Sequence, residues 1–236
     1  MKKSDIPEIS VIIPVINEED NLSRLIPYLK TVAESPEKIE LIVVDGGSAD
    51  HSVEIATSLG AVVENSPRGR AIQLNKGARL AKGDILYFLH ADSFPPQAYD
   101  RLIRKANSQK SEAGCFRLEF DSSSRFLGVF AWFSRFNFLL CRGGDQSLFV
   151  SKQLFNSLGG FDERYRVYED NELIGRIYRV SKFKVLPHKI KTSARKYRAN
   201  GFLKLQYHFA RIHLMYFRGS RPEVLFAYYA RHIKPN

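Results

Sequence analysis

The stretch ISVIIPVINEEDNL, Ile9 to Leu22, changes its period in the middle. Ile9 to Val15 is almost wholly apolar, as a strand covered on both faces of a parallel sheet must be. From Glu18 to Val32 the apolar residues fall at Leu22, Leu25, Ile26 and Leu29, the spacing of a helix with one buried face. The same exchange repeats further on. Ile39 to Val44 predicts a second strand, and Asp50 to Leu59 a helix with Asp50 as its N-cap. Ala61 to Glu64 predicts a short strand, Gly69 to Ala81 a helix with Gly83 just beyond its end, and Ile85 to Leu89 a fourth strand. Strand and helix in alternation predict an α/β fold with right-handed crossovers. In such sheets ligands gather at the carboxyl ends of the strands.

The second half is less regular. Ala113 to Phe120 predicts a strand and Ser124 to Leu140 an aromatic-rich helix. Ser147 to Val150 is strand-like, Lys152 to Leu158 a short helix, and Gly159-Gly160 a turn. Glu169 to Val180 predicts a helix, Phe183 to Leu186 a strand, and Gly201 to Ile233 two helices parted near Gly219 to Pro222. With no internal repeat or linker, one domain over 1–236 is expected, with halves at about 1–112 and 113–190 and a helical tail at about 191–236.

The chain has 236 residues, a net charge of +11 and two cysteines, Cys115 and Cys141. Two cysteines make neither a disulfide framework nor a zinc site, so a reducing compartment is expected. No apolar run reaches the ~20 residues of a membrane helix, and MKKSDIPE has no apolar signal region. The charge favours an anionic partner or forms a solvated basic surface; beyond Lys182 the only acid is Glu223.

Three predicted strand ends carry polar groups on one rim. The first gives Pro14 through Asn17 and Glu18, the second Asp45-Gly46-Gly47-Ser48, and the fourth, DILYFLHADSFPP, gives His90-Ala91-Asp92. The Asp45 loop lacks the G-x-G-x-x-G spacing of a dinucleotide site, and Asp45 alone reads equally as turn chemistry. Arg68 and Arg70 stand at the start of a predicted helix, where backbone N–H groups favour phosphate; a basic surface turn is the plainer alternative.

ISVIIPVINEEDNL, LIVVDGGSAD, RGRAIQLNKGA, DILYFLHADSFPP, CRGGDQSLFVSKQLFNSLGGFDE and YEDNELIGR resemble, in order, a family 2 glycosyltransferase. The combination PRGRAIQLN, FLHAD, GDQ and TSARKYRANG is most similar to the subgroup named for arsenosugar biosynthesis. The resemblance implies the GT-A fold: a Rossmann-like mixed sheet with a parallel N-terminal half flanked by helices, and a C-terminal helical tail. It implies a nucleotide-diphosphate sugar donor, expected to be a UDP-sugar, and an unidentified hydroxyl acceptor. His90-Ala91-Asp92 takes the place of the D-x-D motif, so Asp92 inherits the role of ligand to a divalent metal, Mn2+ or Mg2+, and His90 replaces the first Asp. The family pattern makes Asn17, Glu18 and Asp45 nucleotide contacts, and puts Arg70, Asn75 and Gly77 on the helix that closes over the nucleotide. Asp170, beside Glu169, becomes the catalytic base of an inverting transfer. Gly144, Asp145 and Gln146 become the loop at the donor sugar or acceptor. Arg195 and Lys196 are expected at the diphosphate, and His188 as a late metal ligand.

Two further readings stay open. A lipid acceptor such as a polyprenyl phosphate suits the aromatic, cationic stretch YHFARIHLMYFRGSRPEVLFAYYARHIK, which equally reads as a helix pair packed on the domain. A non-catalytic basic nucleotide- or RNA-binding protein fits the charge, but no RNA-binding motif is present, so no nucleic-acid partner is expected. The expected location is the cytoplasm, with peripheral contact at the membrane's inner face as the lipid reading requires.

Overall fold

The computed structural model describes residues 6–109 and 111–234, so the N-terminal MKKSD lies outside the described residues. The first half runs β1 (Ile9–Val15), α1 (Glu19–Val32), β2 (Ile39–Asp45), α2 (Ser52–Ser58), β3 (Val62–Asn65), α3 (Arg70–Leu80) and β4 (Ile85–Phe88). It continues through β5 (Ser93–Phe94), α4 (Tyr99–Ser108), β6 (Ala113–Phe120), α5 (Arg125–Phe133), β7 (Leu148–Ser151) and α6 (Lys152–Ser157). The remaining elements are α7 (Glu169–Val180), β8 (Phe183–Thr192), α8 (Arg195–Asn200), α9 (Phe202–Phe217) and α10 (Pro222–His232).

The eight strands form one sheet in the order β3-β2-β1-β4-β7-β6-β8-β5. β1 pairs in parallel with β2 and β4, and β2 with β3. At β4 the direction changes, because β7 joins it antiparallel. Alternate residues of β1 feed opposite layers, as the two-residue strand period demands. Val11 and Ile13 lie in one core cluster with Leu22, Leu25 and Ile26 of α1; Ile12 lies in the other with Leu74 and Ala78 of α3 and Leu173 of α7. α3 lies close on the sheet because Gly77 has no side chain: a Cβ there would press into Ile12 and meet Val44 at 3.1 Å.

The predicted strands Ile9 to Val15 and Ala113 to Phe120 and the helix Glu169 to Val180 appear with those bounds. Four departures have physical causes. The Asp50 carboxylate does not cap α2 in the usual way. It accepts from Ser52 N–H at 3.0 Å and Glu19 N–H at 3.2 Å, which ties the starts of α1 and α2 together, and the helix begins two residues later. The helix predicted over Ser124 to Leu140 stops at Phe133. There the buried Arg142 guanidinium donates to the carbonyls of Ser134 at 2.6 Å and Phe136 at 2.5 Å, drawing those oxygens away from a continuing ladder. β8 runs past Leu186 to Thr192, because a bulge opposite Phe116/Arg117 lets it keep pairing with β6. α4 was not predicted: only Tyr99, Ile103 and Ala106 of its apolar residues are buried, and Asp100 fastens it by accepting from Glu34 and Ser35 N–H, each at 2.9 Å.

Candidate active site

The ends of β1, β2 and β4 lie side by side, and their loops are tied to one another before any ligand arrives. Asn17 adopts a left-handed φ of 54° and bridges to the β2 loop. Its N–H donates to Ser48 Oγ and its Oδ1 accepts from Ala49 N–H, both at 2.8 Å. The buried Asp45 carboxylate turns into its own loop, accepting from Gly47 N–H at 2.9 Å and from Ser48 N–H and Oγ. Gly46 packs on Ile16 and Gln73, and Gly47 takes a φ of 96°. Pro14 stays within β1, opposite Val44. Two amides on α3 complete the scaffold. Gln73 Nε2 donates to the Val15 and Val44 carbonyls at 2.9 and 2.8 Å, tying the ends of β1 and β2. Asn75 Nδ2 donates to Phe161 O and Glu163 Oε1, and its Oδ1 accepts from Phe161 N–H, each at 2.9 Å. Asn75, read from the sequence as a nucleotide contact, therefore clamps α3 to the loop that precedes α7. Gln73 was missed; a long amide between Ala71 and Leu74 on the buried face of α3 was its only signal.

The carboxylates above this scaffold are less fully engaged. Asp92 accepts no hydrogen bond from the described residues. Burial pushes its carboxyl above the ordinary range; His90 partly offsets that, while Asp145 and Glu18 reinforce it. Ala91 beside it is buried. Glu18 accepts from Asn21 Nδ2 at 2.5 Å and pairs with Arg195 at 3.3 Å, which brings the start of α8 to the end of β1. Lys196 instead lies over the rings of Tyr229 at 5.0 Å and Phe209 at 5.8 Å.

His90 stands between two carboxylates. Nδ1 is 3.6 Å from Asp145 Oδ1 and Nε2 is 4.0 Å from Asp170 Oδ2, both longer than a direct hydrogen bond. Partial burial raises the Asp145 carboxyl, but His90, Lys196 and Arg70 outweigh it and hold Asp145 below the usual range. Asp170 goes the other way. Burial and the adjacent Glu169 push it up to about 6, against the opposing pull of His90 and Arg70. Arg70 reaches across from α3 to Glu169 at 3.4 Å. Gly144 makes room for this group: a Cβ on it would overlap Asp170 Oδ2 and come within 2.9 Å of the His90 ring. Gln146 faces inward instead, accepting from Cys115 Sγ at 3.3 Å and donating to Cys141 O at 2.7 Å.

The turn into α7 is held from outside the sheet. Tyr168, with φ 73°, precedes Glu169, and its Oη lies 2.5 Å from His213 Nδ1 on α9. Nothing in the sequence spacing pointed to this pair. Two predicted site residues stand apart. Arg68 is exposed on the turn before α3. His188 is exposed at the β8 bulge, four residues before Thr192, which pairs with Ser93 next to Asp92. At about 3.3 Å per strand residue that is roughly 13 Å away along β8, too far for His188 to share a metal with Asp92.

Among the described residues no three His, Cys, Asp or Glu side chains form a ready metal cage. One partly buried carboxylate without a partner still fits a magnesium-type ion, which commonly takes one or two carboxylates and completes its shell with substrate phosphates and water.

A mixed sheet whose parallel strands end in carboxylates, facing an acidic helix start, defines a GT-A glycosyltransferase architecture. The chain belongs to Glycosyl transferase family 2, whose profile it matches over residues 10–153. It is 34% identical over 103 residues to the glycosyltransferase AglE of Haloferax volcanii, covering 41% of this chain and 34% of that protein. It is 32% identical over 137 residues to an undecaprenyl-phosphate 4-deoxy-4-formamido-L-arabinose transferase of Edwardsiella ictaluri, covering 54% of this chain and 40% of that one. The chain thus spans about a third to two-fifths of the length of these relatives. The fold is shared with S. aureus TarS in complex with UDP-GlcNAc, at 16% identity and TM-score 0.64, over 79% of this chain and 58% of TarS. It is shared also with the mannosyltransferase PcManGT of Pyrobaculum calidifontis in complex with GDP-Man and Mn2+. That likeness has 22% identity and TM-score 0.63, over 88% of this chain and 60% of PcManGT.

Proposed function

We propose that the protein transfers a glycosyl group, with inversion, from a nucleotide-diphosphate sugar to a hydroxyl acceptor, and that Asp170 is the base. The observation that carries this is a buried carboxylate 4.0 Å from His90 and seated against Gly144, on the same rim as the unpartnered Asp92, with burial and Glu169 pushing its carboxyl up to about 6. Near neutral pH Asp170 is ionised yet retains appetite for a proton, the condition general-base catalysis favours. As the acceptor oxygen attacks the anomeric carbon, its proton passes to a carboxylate oxygen of Asp170. Arg70 pairs with Glu169 at 3.4 Å and so holds the neighbouring side chain in place. Arg195, at the start of α8 and paired with Glu18 beyond the end of β1, is the cation this reading assigns to the departing diphosphate. A divalent cation, manganese or magnesium, bound by Asp92 would neutralise charge on that diphosphate.

A UDP-sugar is the donor in this reading, with the Asp45–Ser48 loop at the base. Structural neighbours in complex with UDP-GlcNAc and with GDP-Man support a nucleotide-sugar without choosing the base. The similarity to arsenosugar-type transferases belongs to the same reading. A lipid-phosphate acceptor is the second reading, supported by the undecaprenyl-phosphate transferases among the relatives.

Calorimetric titration with UDP, GDP and ADP, with manganese and then with chelator, tests the donor site. UDP in the presence of metal is expected to bind most tightly; at roughly 100 times its dissociation constant it should add about 2.7 kcal/mol of stability. Equal binding of all three, unchanged by chelator, removes both the base and the metal assignments.

A further inference from the structure

Helix α9 has two apolar faces, and the fold uses one of them. Leu205, His208 and Ile212 are buried against the C-terminal cluster. The other face is a stripe of Leu203, Tyr207, Ala210, Leu214 and Phe217, at alternating intervals of four and three residues. That is the spacing of one continuous helical seam. All five are exposed: Leu203 by 71%, Tyr207 by 60%, Leu214 by 41% and Phe217 by 54%, with Ala210 among them. At about 1.5 Å per residue the seam is roughly 20 Å long. At its far end Phe217 joins Leu139, Gly175, Tyr178, Arg179 and Tyr216 in a cleft of about 430 Å³. The loop contributing Leu139 also exposes Phe138 by 66% and Leu140 by 65%.

Charge decides what covers this seam. Lys204, Arg211 and Arg218 recur every seven residues, all exposed along one flank. α9 contains no acid, and beyond Lys182 the chain has only Glu223. A second copy docked seam to seam would set cation rows near each other with no carboxylate on either helix to pair with them. An anionic lipid surface supplies what the row lacks, and its acyl region takes the apolar stripe.

The geometry points to α9 as an interfacial helix that lays Leu203, Tyr207, Leu214 and Phe217 into an anionic phospholipid leaflet. This goes beyond the transfer reaction, because it states where the protein sits while it works. It also bears on the site: His213 of the same helix is bonded to Tyr168, the residue before Glu169-Asp170. The helix that meets lipid is therefore fastened to the turn carrying the proposed base.

Flotation with vesicles tests this. The full chain is mixed with vesicles of equimolar phosphatidylcholine and phosphatidylglycerol, or of phosphatidylcholine alone. Binding to the anionic vesicles and little to the neutral ones is expected. L203Q/L214Q/F217Q should abolish it. K204Q/R211Q/R218Q should weaken it by roughly 10²-fold and flatten its salt dependence, from about fivefold per charge. UDP titration of each variant is the control for folding. Wild-type protein that binds UDP but neither vesicle overturns the lipid surface and leaves the donor site standing. So does an apolar triple variant that floats as well as wild type. Light scattering covers the other occupant: a wild-type dimer that L203Q/L214Q/F217Q converts to monomer, without vesicle binding, makes the seam a self-association face and overturns the proposal.

Discussion

Asp170→Asn removes a carboxylate whose ionisation the fold opposes, and the consequence for stability can be worked out before any acceptor is known. Burial and the adjacent Glu169 push the folded carboxyl up to about 6, against about 3.9 for an unfolded aspartate. A carboxyl raised in this way binds its proton more tightly in the folded state, so stability falls as pH rises from the unfolded value to the folded one. The penalty is absent below about pH 4 and complete above about pH 6. At about 1.4 kcal/mol per pH unit it amounts to about 3 kcal/mol at neutral pH. Asparagine keeps the shape and never ionises, so it is spared that loss. For a chain of this size 1 kcal/mol moves the melting temperature by about 2–4 °C. The advantage of Asp170→Asn should thus grow from near zero at about pH 4 to roughly 6–12 °C at about pH 8.

Thermal unfolding followed by circular dichroism, wild type and variant in matched buffers, reads this directly. The trade is activity. Transfer by wild type should rise through about pH 6, and the variant should lose roughly 10²–10⁴-fold of it while still binding UDP. Melting curves that run parallel across the whole range would refute the reasoning. Asp170 would then be comfortable as a carboxylate, and the case for it as the base would lose its physical ground.

Asp92→Asn should weaken UDP binding with manganese and leave the metal-free titration unchanged, since an amide is a poor ligand for a hard cation; equal loss in both titrations would assign Asp92 to the nucleotide itself. Gly144→Ala should cost about 1–3 kcal/mol, because its Cβ lands on the Asp170 carboxylate and close to the His90 ring. Carboxyl NMR should show Asp170 titrating lower as it is pushed toward solvent, and an unmoved titration would contradict the packing described. Arg142→Met should destabilise by about 3 kcal/mol in urea unfolding, leaving the Ser134 and Phe136 carbonyls without their donor; a loss under about 1 kcal/mol would mean that something else ends α5.

The parallel half of the fold was legible because its signals are local. A seven-residue β1 that is apolar except for Ser10, helical spacing in α1 and glycines at the turns each say one thing, and they agree. The elements that were misread depend on partners that their own periodicity does not show. α5 ends where it does because of Arg142, whose donors find carbonyls six and eight residues earlier in the chain. β8 outlasts its apolar run because β6 continues beside it through the bulge. α4 has few buried apolar residues and is fastened through Asp100 to the backbone after α1, more than sixty residues away in sequence. For α4 and β8 no short window on the sequence contains both partners; at α5 the window contains them, but nothing in its periodicity marks Arg142 as the donor.

The site divides along the same line, and the division separates scaffold from chemistry. Asp92, Asp145, Glu169 and Asp170 were all marked from the sequence, and their rim carboxylates stand at one end of the sheet around His90. Asn17, Asp45, Asn75 and Gln146 were marked beside them, and their side chains also bond to the protein's own backbone. A polar residue at a strand end has two possible employers, the ligand and the neighbouring loop, and the residue type is the same for both. Buried amides that are fully bonded, as Asn75 and Gln146 are, have little left to offer a substrate. Asn75 makes three bonds, two of them to the Phe161 backbone, so its loss would release the segment leading to Tyr168 and Glu169. Asn75→Ala should therefore reach Asp170 through that loop, shifting transfer more than UDP affinity. The reverse, a lost UDP site with Asp170 undisturbed, would return Asn75 to the nucleotide.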